Sequence, residues 1–232
     1  MSSPKSPIGL FDSGAGGLLV LKHLQAAYPL EDFIFLADTA NFPYGEKSPD
    51  QIRALALQCG ITLVERGCRA VVVACNTAAA YALDLLQEAL PIPVLGPIYA
   101  AAREAAKATR NRRIGVLATQ ATVASGLYQT LLQDFDTTVI ESPLLAQLVQ
   151  DNQIDLLETA LSHYLDPLLE KNIDTLLLGC THYPHVEQFL EGHSLNIIDS
   201  SRCFIPDLVP LLKGHTDTIV TGTPLMILEV SV

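Results

Sequence analysis

Val71-Val72-Val73-Ala74-Cys75-Asn76-Thr77 and Leu176-Leu177-Leu178-Gly179-Cys180-Thr181-His182 are the two stretches on which the fold turns. Each begins with an uninterrupted apolar run, the pattern of a parallel strand buried on both faces rather than of a strand with one wet face. Each ends in a cysteine followed by small hydroxyl, amide or imidazole side chains that can face a ligand. A second pair, Ile8-Gly9-Leu10-Phe11 and Ile114-Gly115-Val116-Leu117, recurs at the same spacing to within one residue, so the chain reads as an internal duplication. Two related halves facing one another would put one thiol on each side of a shared cleft. That arrangement suits moving a proton across a planar intermediate.

Outward from these strands the chain alternates strand and helix, which implies parallel βαβ units. The first unit reads as strand 8–11, helix 17–27, strand 33–37, helix 49–66, strand 70–74 and a helix after Thr77. Pro49 suits a first helical turn and Gly67 the position just past a helix end. A short strand between prolines, Ile92-Pro93-Val94-Leu95-Gly96-Pro97, is the crossover into the second unit. There the reading is helix 100–109, strand 113–118, helix 122–133, strand 137–141, helix 154–170 and strand 175–178. A helix over 204–212 and apolar runs at 218–220 and 225–230 follow, and these return to the first unit. The fold class is α/β, two similar parallel-sheet lobes with the active site between them. Residues 1–96 joined by 200–232 form one lobe and 97–199 the other.

An apolar content of 49% in 232 residues is ample for buried cores. A formal charge of −11 with 14 lysines and arginines argues against sequence-independent nucleic-acid binding, because few phosphates could be neutralised at once. An anionic substrate would instead be captured locally by backbone N–H groups and hydroxyls. No run approaches the roughly 18 apolar residues of a membrane span, and the chain enters its first strand too early for a signal peptide. The expectation is a cytoplasmic protein with no membrane partner. Five cysteines, an odd number without Cys-x-x-Cys spacing, disfavour a disulfide framework. Cys59, Cys68 and Cys203 read as packing residues.

In open parallel sheets ligands bind beyond the carboxyl ends of the strands, and four strand-end motifs here are polar and small. Asp12-Ser13-Gly14-Ala15-Gly16-Gly17 resembles a phosphate-binding turn, but Leu19 stands where a dinucleotide fingerprint needs its third glycine. Its amides suit a substrate carboxylate better, and Asp12 alone could be a helix cap. Asp38-Thr39-Ala40-Asn41-Phe42-Pro43-Tyr44-Gly45-Glu46-Lys47-Ser48 is a loop in which Tyr44 offers a face and a hydroxyl to a small ligand. The cysteine motifs complete the set, with Asn76, Thr77, Thr181 and His182 as donors beside the sulfurs. No lysine sits in a motif suggesting a Schiff base, and no His/Asp/Glu cluster has metal-ligand spacing. The competing metal reading is Cys75, Cys180 and His182 around a zinc ion.

Phe11-Asp12-Ser13-Gly14-x-Gly16-Gly17, Asp38-Thr39-Ala40 with Pro43-Tyr44-Gly45-Glu46-Lys47-Ser48, Ala74-Cys75-Asn76-Thr77-Ala78 and Gly179-Cys180-Thr181-His182-Tyr183-Pro184 together resemble the aspartate/glutamate racemase family, glutamate racemases in particular. The resemblance runs from about Ile8 to Asp199, and Thr119, Thr122, Ser125 and Tyr128 lie in a further similar stretch. It implies a two-base isomerase that needs no cofactor and no metal and makes D-glutamate for peptidoglycan, and hence a role in cell-wall biogenesis and cell shape. Cys75 and Cys180 would be the paired acid and base, with Asp12 supporting Cys75 and His182 supporting Cys180. Substrate contacts carry over to Asp12, Ser13, Tyr44, Gly45, Asn76, Thr77, Thr181 and His182. The partner is a small-molecule substrate; a homodimer is compatible with the sequence without being specified by it. The chain departs from the family where Gln150 replaces the glutamate that assists the second cysteine, where Ser142-Pro143 replaces Cys-Pro, and where Gly96-Pro97-Ile98 replaces an expected Glu-Pro pair. Alternatives are a racemase for aspartate or another small amino acid, or a glutamate-binding homologue with impaired turnover.

Overall fold

The computed structural model describes residues 6–212 and 226–229. Two parallel sheets carry the fold. In the first, β1 (Ile8–Asp12), β2 (Phe33–Ala37), β3 (Ala70–Val73), β4 (Val94–Leu95) and a last strand, Met226–Glu229, lie in the order β4-β3-β1-β2-last. In the second, β5 (Arg113–Ala118), β6 (Asp136–Glu141), β7 (Thr175–Gly179) and β8 (Asn196–Asp199) lie in the order β6-β5-β7-β8. The closing strand, β9, pairs with β2. Without it the two sheets have the same order, so β1 and β5 are equivalent centres, and β3 and β7, which deliver the two cysteines, are equivalent neighbours. The duplication read from the sequence is thus a duplication of topology.

The apolar runs behave as buried central strands should: every residue of β1, β2, β3 and β7 is buried. Gly9 and Gly115, equivalent in the two halves, let helices press onto the central strands. A Cβ at Gly9 would stand 3.0 Å from Leu63 Cδ1, and one at Gly115 would stand 2.6 Å from Ile173 Cδ1. Strand β6, Asp136–Glu141, is partly exposed along its length, as an edge strand of this composition should be.

The helices are α1 (Gly17–Ala27), α2 (Pro49–Glu65), α3 (Asn76–Ala89), α4 (Pro97–Ala108), α5 (Gln120–Ala124), α6 (Leu127–Leu131), α7 (Pro143–Gln150), α8 (Ile154–Glu170), α9 (Ser200–Cys203) and α10 (Val209–Leu212). Helix α2 starts where Pro49 predicts, behind a capping box. The Gln51 N–H donates to Ser48 Oγ, and the Ser48 N–H donates to Gln51 Oε1 at 3.0 Å, an arrangement worth about 1 kcal/mol. The expected helix 122–133 is instead two short helices. Gly126 between them sits at φ 67°, a left-handed conformation that ends α5, and Ser125 Oγ accepts the Leu127 N–H to start α6. The expected helix 204–212 begins earlier as α9 and passes through a 3-10 turn at Ile205–Leu208, where Pro206 has no N–H to continue an α-helical ladder. Helix 100–109 begins at Pro97, directly after Gly96. Helix α7 was not foreseen. The apolar run 218–220 lies outside the described residues, whereas Met226–Glu229 returns to the first sheet as expected.

Helix α4 packs on β7 and β8, and α9 packs on both α1 and α4. One apolar core runs from Phe11 and Val73 through α3 and α4 to Val116 and Leu177 of the second sheet. The two sheets are therefore joined by a continuous core on one side and face each other across the strand ends on the other. Among the described residues no helix is long and apolar enough to cross a membrane.

Candidate active site

Cys75 and Cys180 stand just beyond β3 and β7, where strand ends in both sheets converge. Both line one cavity of about 20 Å³, shared with Ser13, Tyr44, Gly45, Asn76, Thr77, Thr181 and His182. Asp12, the last residue of β1, is fully buried behind this lining. Every residue singled out from the strand-end motifs is therefore brought to one place. Phe42, Pro43, Thr119 and Ala146 complete the wall. Ala146 sits on α7, a helix whose small apolar residues carried no chemical signal in the sequence.

On the first side, Cys75 caps α3, its Sγ accepting the Ala78 N–H at 3.4 Å. Ser13 Oγ is 3.5 Å from the same sulfur and 3.4 Å from Asp12 Oδ1. The Gly14 N–H donates to Asp12 Oδ1 at 2.9 Å. Asp12 Oδ2 is buried with no hydrogen-bond partner among the described residues. Burial pushes the Asp12 carboxyl up to about 6, against the pull of the Gly14 N–H and the Thr181 and Ser13 hydroxyls. Burial, and then the neighbouring Asp12 charge, pushes the Cys75 thiol up to about 11.

On the second side, burial also raises the Cys180 thiol, opposed first by the His182 backbone N–H. Cys180 Sγ lies 3.7 Å from His182 Nδ1, which is also 3.5 Å from Thr181 Oγ1. Burial and the nearby His185 lower His182 to about 4, so its imidazole is neutral near neutrality. Its Nε2 meets Gln150 Oε1 at 2.9 Å. The Phe42 ring closes over the imidazole with centroids 5.5 Å apart.

Tyr44 departs from expectation in one respect. Its hydroxyl donates to Asp38 Oδ2 at 2.6 Å, inside the first half, and so is not presented to the cavity. Asp38 also accepts from Asn41 Nδ2 at 2.9 Å, so this buried carboxylate ties down the loop that carries Phe42 and Gly45. The Asn76 amide is likewise committed: Tyr128 Oη donates to its Oδ1 at 3.0 Å, its Nδ2 donates to Ser200 Oγ at 3.0 Å, and Ser200 Oγ donates to the Leu178 carbonyl at 2.7 Å. This chain of bonds links the residue after Cys75 to the strand before Cys180. Ser200 and Asp38 escaped the sequence reading as side chains with a function, because each acts through a partner remote in sequence.

The hydroxyls of Thr77, Thr119 and Thr122 form a mutual ring, with separations of 2.8, 3.1 and 2.9 Å. Three hydroxyls carry three protons, so the ring uses all of them. A wider cleft of about 430 Å³ opens behind His182, bordered by Gly16, Leu19, Lys22 and Gln150. Among the described residues no group of three or more His, Cys, Asp or Glu side chains is arranged to hold a metal ion.

The chain is similar in sequence and in fold to known proteins. A glutamate racemase from Persephonella marina is 44% identical over 222 residues, covering 93% of this chain and 85% of that protein. A Bacillus anthracis glutamate racemase isoform superposes with a TM-score of 0.86 at 34% identity, covering 92% of this chain and 84% of that one. The Francisella tularensis glutamate racemase, solved in complex with D-glutamate, superposes with a TM-score of 0.85 at 32% identity over 96% of this chain and 86% of its own. The family model for Asp/Glu/Hydantoin racemases matches residues 19–206. With that match across most of its length, the chain belongs to the Asp/Glu/Hydantoin racemase family.

Proposed function

We propose that this protein interconverts L- and D-glutamate by proton transfer between two cysteines, without a cofactor or metal, and supplies D-glutamate for peptidoglycan in the cytoplasm. The observation that carries this reading is the pairing of Cys75 and Cys180. They follow topologically equivalent strands of two sheets, and both line one small cavity. One thiolate removes the α-proton: the C–H bond breaks, an S–H bond forms, and the electron pair stays on the α-carbon. The opposing thiol then donates its proton to the other face, leaving the second sulfur as thiolate.

Burial raises both thiols and so favours their neutral forms. Substrate changes that balance. An α-ammonium brought beside Asp12 Oδ2 would satisfy its orphaned lone pairs and supply the positive charge that a thiolate needs nearby. The substrate carboxylates would take the backbone N–H groups at Ser13, Gly45, Asn76, Thr77 and Thr181, which suits a chain with no basic patch here. His182 would stand beside Cys180 as Asp12 stands beside Cys75. A cavity of about 20 Å³ has room for about one water, so glutamate enters only when the strand ends separate. We take residues 1–96 with 200–232, and 97–199, as the two lobes that part and close again. Closure excludes water and strengthens every donor that faces the developing carbanion.

Incubating the protein with L- and with D-glutamate in D2O, alongside aspartate and other amino acids, tests this. The expected result is exchange of the α-proton and loss of optical activity from either glutamate enantiomer. Exchange confined to aspartate would reassign the substrate, and glutamate binding without exchange would make the protein a binding homologue.

A further inference from the structure

Gln150 ends α7 and reaches across the cleft, and its amide oxygen meets two donors. The Ala15 N–H, in the glycine-rich turn after β1, donates to Gln150 Oε1 at 3.3 Å. The same oxygen lies 2.9 Å from His182 Nε2. A backbone N–H can only donate, so the group facing Ala15 is the amide oxygen and not the NH2. An oxygen that only accepts then requires Nε2 to carry the imidazole hydrogen. In a neutral ring this leaves the lone pair on Nδ1, the nitrogen beside Cys180 Sγ and Thr181 Oγ1. The Phe42 face, His185 and, at the rim of the wider cleft, Lys22 of α1 lie beside the ring, and Asp12 at the end of β1 and Cys75 at the head of α3 act on the Cys180 it faces.

We propose that Gln150 is a positioning residue that clamps His182 as its neutral Nε2–H tautomer, setting Nδ1 to take the Cys180 proton, and that it does so only while Ala15 is docked and the cleft is closed. The inference rests on the two-thiol reading for what the proton then does. In the step, the Cys180 S–H bond breaks with its electron pair left on sulfur, an N–H bond forms at Nδ1, and a thiolate–imidazolium pair results. A primary amide has no basic site that could then take the Nε2 proton. The proton is therefore held between Sγ and Nδ1 and returns to sulfur. A carboxylate at this position would favour the doubly protonated ring even at rest, and would give its second proton a route outward. The amide thus makes the relay depend on closure rather than on charge.

Nitrogen-detected NMR of ring-15N-histidine protein reads the tautomer without substrate, with His182 assigned by the signals lost in His182→Asn. The wild type should show the Nε2–H pattern between pH 5.5 and 8. Gln150→Glu should raise the His182 pKa by about one to three units, the usual effect of an opposite charge in contact. The acid limb of kcat/KM should move with it, equally for both enantiomers, because the equilibrium constant between them is fixed. Gln150→Met should give mixed tautomers with the amide fingerprint of the fold retained. An Nδ1–H pattern in the wild type, or an unchanged pattern in folded Gln150→Met, would overturn the clamp. The expected tautomer in a protein that fails to racemise glutamate would support the clamp and count against the proposed reaction.

Discussion

Gly45→Ala should slow turnover without weakening the fold. Gly45 lies on the loop after β2 and meets Thr119, which follows β5 across the cleft. A Cβ there would stand 2.9 Å from Thr119 Cβ and 3.2 Å from its Cγ2. Real Cβ atoms do not approach so closely, and neither atom is the end of a long side chain that could swing away. The backbone at Gly45 is not in the left-handed region that disfavours alanine. The strain therefore falls on the contact between the two sides of the cleft, and opening relieves it. Inserting a methyl into a packed contact costs about 1–3 kcal/mol. At about 1.4 kcal/mol per tenfold, that removes the closed state by a factor of about 5 to 150. Both directions of racemisation, followed by circular dichroism of glutamate, should lose kcat/KM by the same factor in that range, with Tm unchanged. Unchanged kcat/KM at unchanged Tm would refute the reasoning, because it would mean that the cleft turns over without the Gly45–Thr119 contact. A lowered Tm would show that the two sides do not separate to relieve strain.

Replacing Cys75 or Cys180 with serine should abolish racemisation, because a hydroxyl is too weak an acid to supply the base; full racemisation by either variant would remove that thiol from the mechanism. The Asp12 carboxyl, raised from 3.8 to about 6, binds more protons folded than unfolded, so its contribution to stability is full below pH 4 and is lost as pH rises to about 6. The loss is about 3 kcal/mol at roughly 1.4 kcal/mol per unit. Asp12→Asn should flatten the fall in Tm between pH 4.5 and 7 while reducing turnover, and an unaltered pH dependence of Tm would show that Asp12 is not the group responsible. Exhaustive dialysis against EDTA should leave activity intact; activity lost and then restored by zinc would move Cys75, Cys180 and His182 into a metal site.

Much of the fold was legible because its strands are buried on both faces. A run such as Val71-Val72-Val73 has no polar residue to disguise it, and strands 33–37 and 113–118 and helices 17–27 and 154–170 lie where the pattern puts them. What escaped was decided by single backbone conformations or by distant partners. Gly126 at positive φ divides one expected helix, and α7 has too short a pattern to separate it from a loop. The strand-end motifs drew the site residues together because open parallel sheets collect their strand ends on one edge. Their side-chain directions were not legible. Tyr44 looked like a cover for a ligand, yet its hydroxyl belongs to Asp38, six residues earlier, and Asn76 owes its orientation to Tyr128 and Ser200.

The same contacts indicate how two sheets with one core can part. Tyr128 to Asn76, Asn76 to Ser200 and Ser200 to the Leu178 carbonyl are buried bonds on the side where α3, α4 and α9 pack. Breaking them would leave buried amide and hydroxyl groups unpaired, at about 1–3 kcal/mol each, so in the opening proposed above this line would stay intact and serve as the hinge. The Gly45–Thr119 contact, the Phe42 ring over His182 and the Ala15–Gln150 bond lie at the open edge, where water can replace what is lost. The threonine ring lies between these extremes. It is buried and fully bonded, yet it joins α3 to the segment after β5, and a substrate carboxylate offers the acceptor that would let one hydroxyl leave the ring without losing a partner. On the reading proposed above, opening would therefore be easiest at that edge, with the line through Asn76 and Ser200 limiting how far Cys75 and Cys180 move apart.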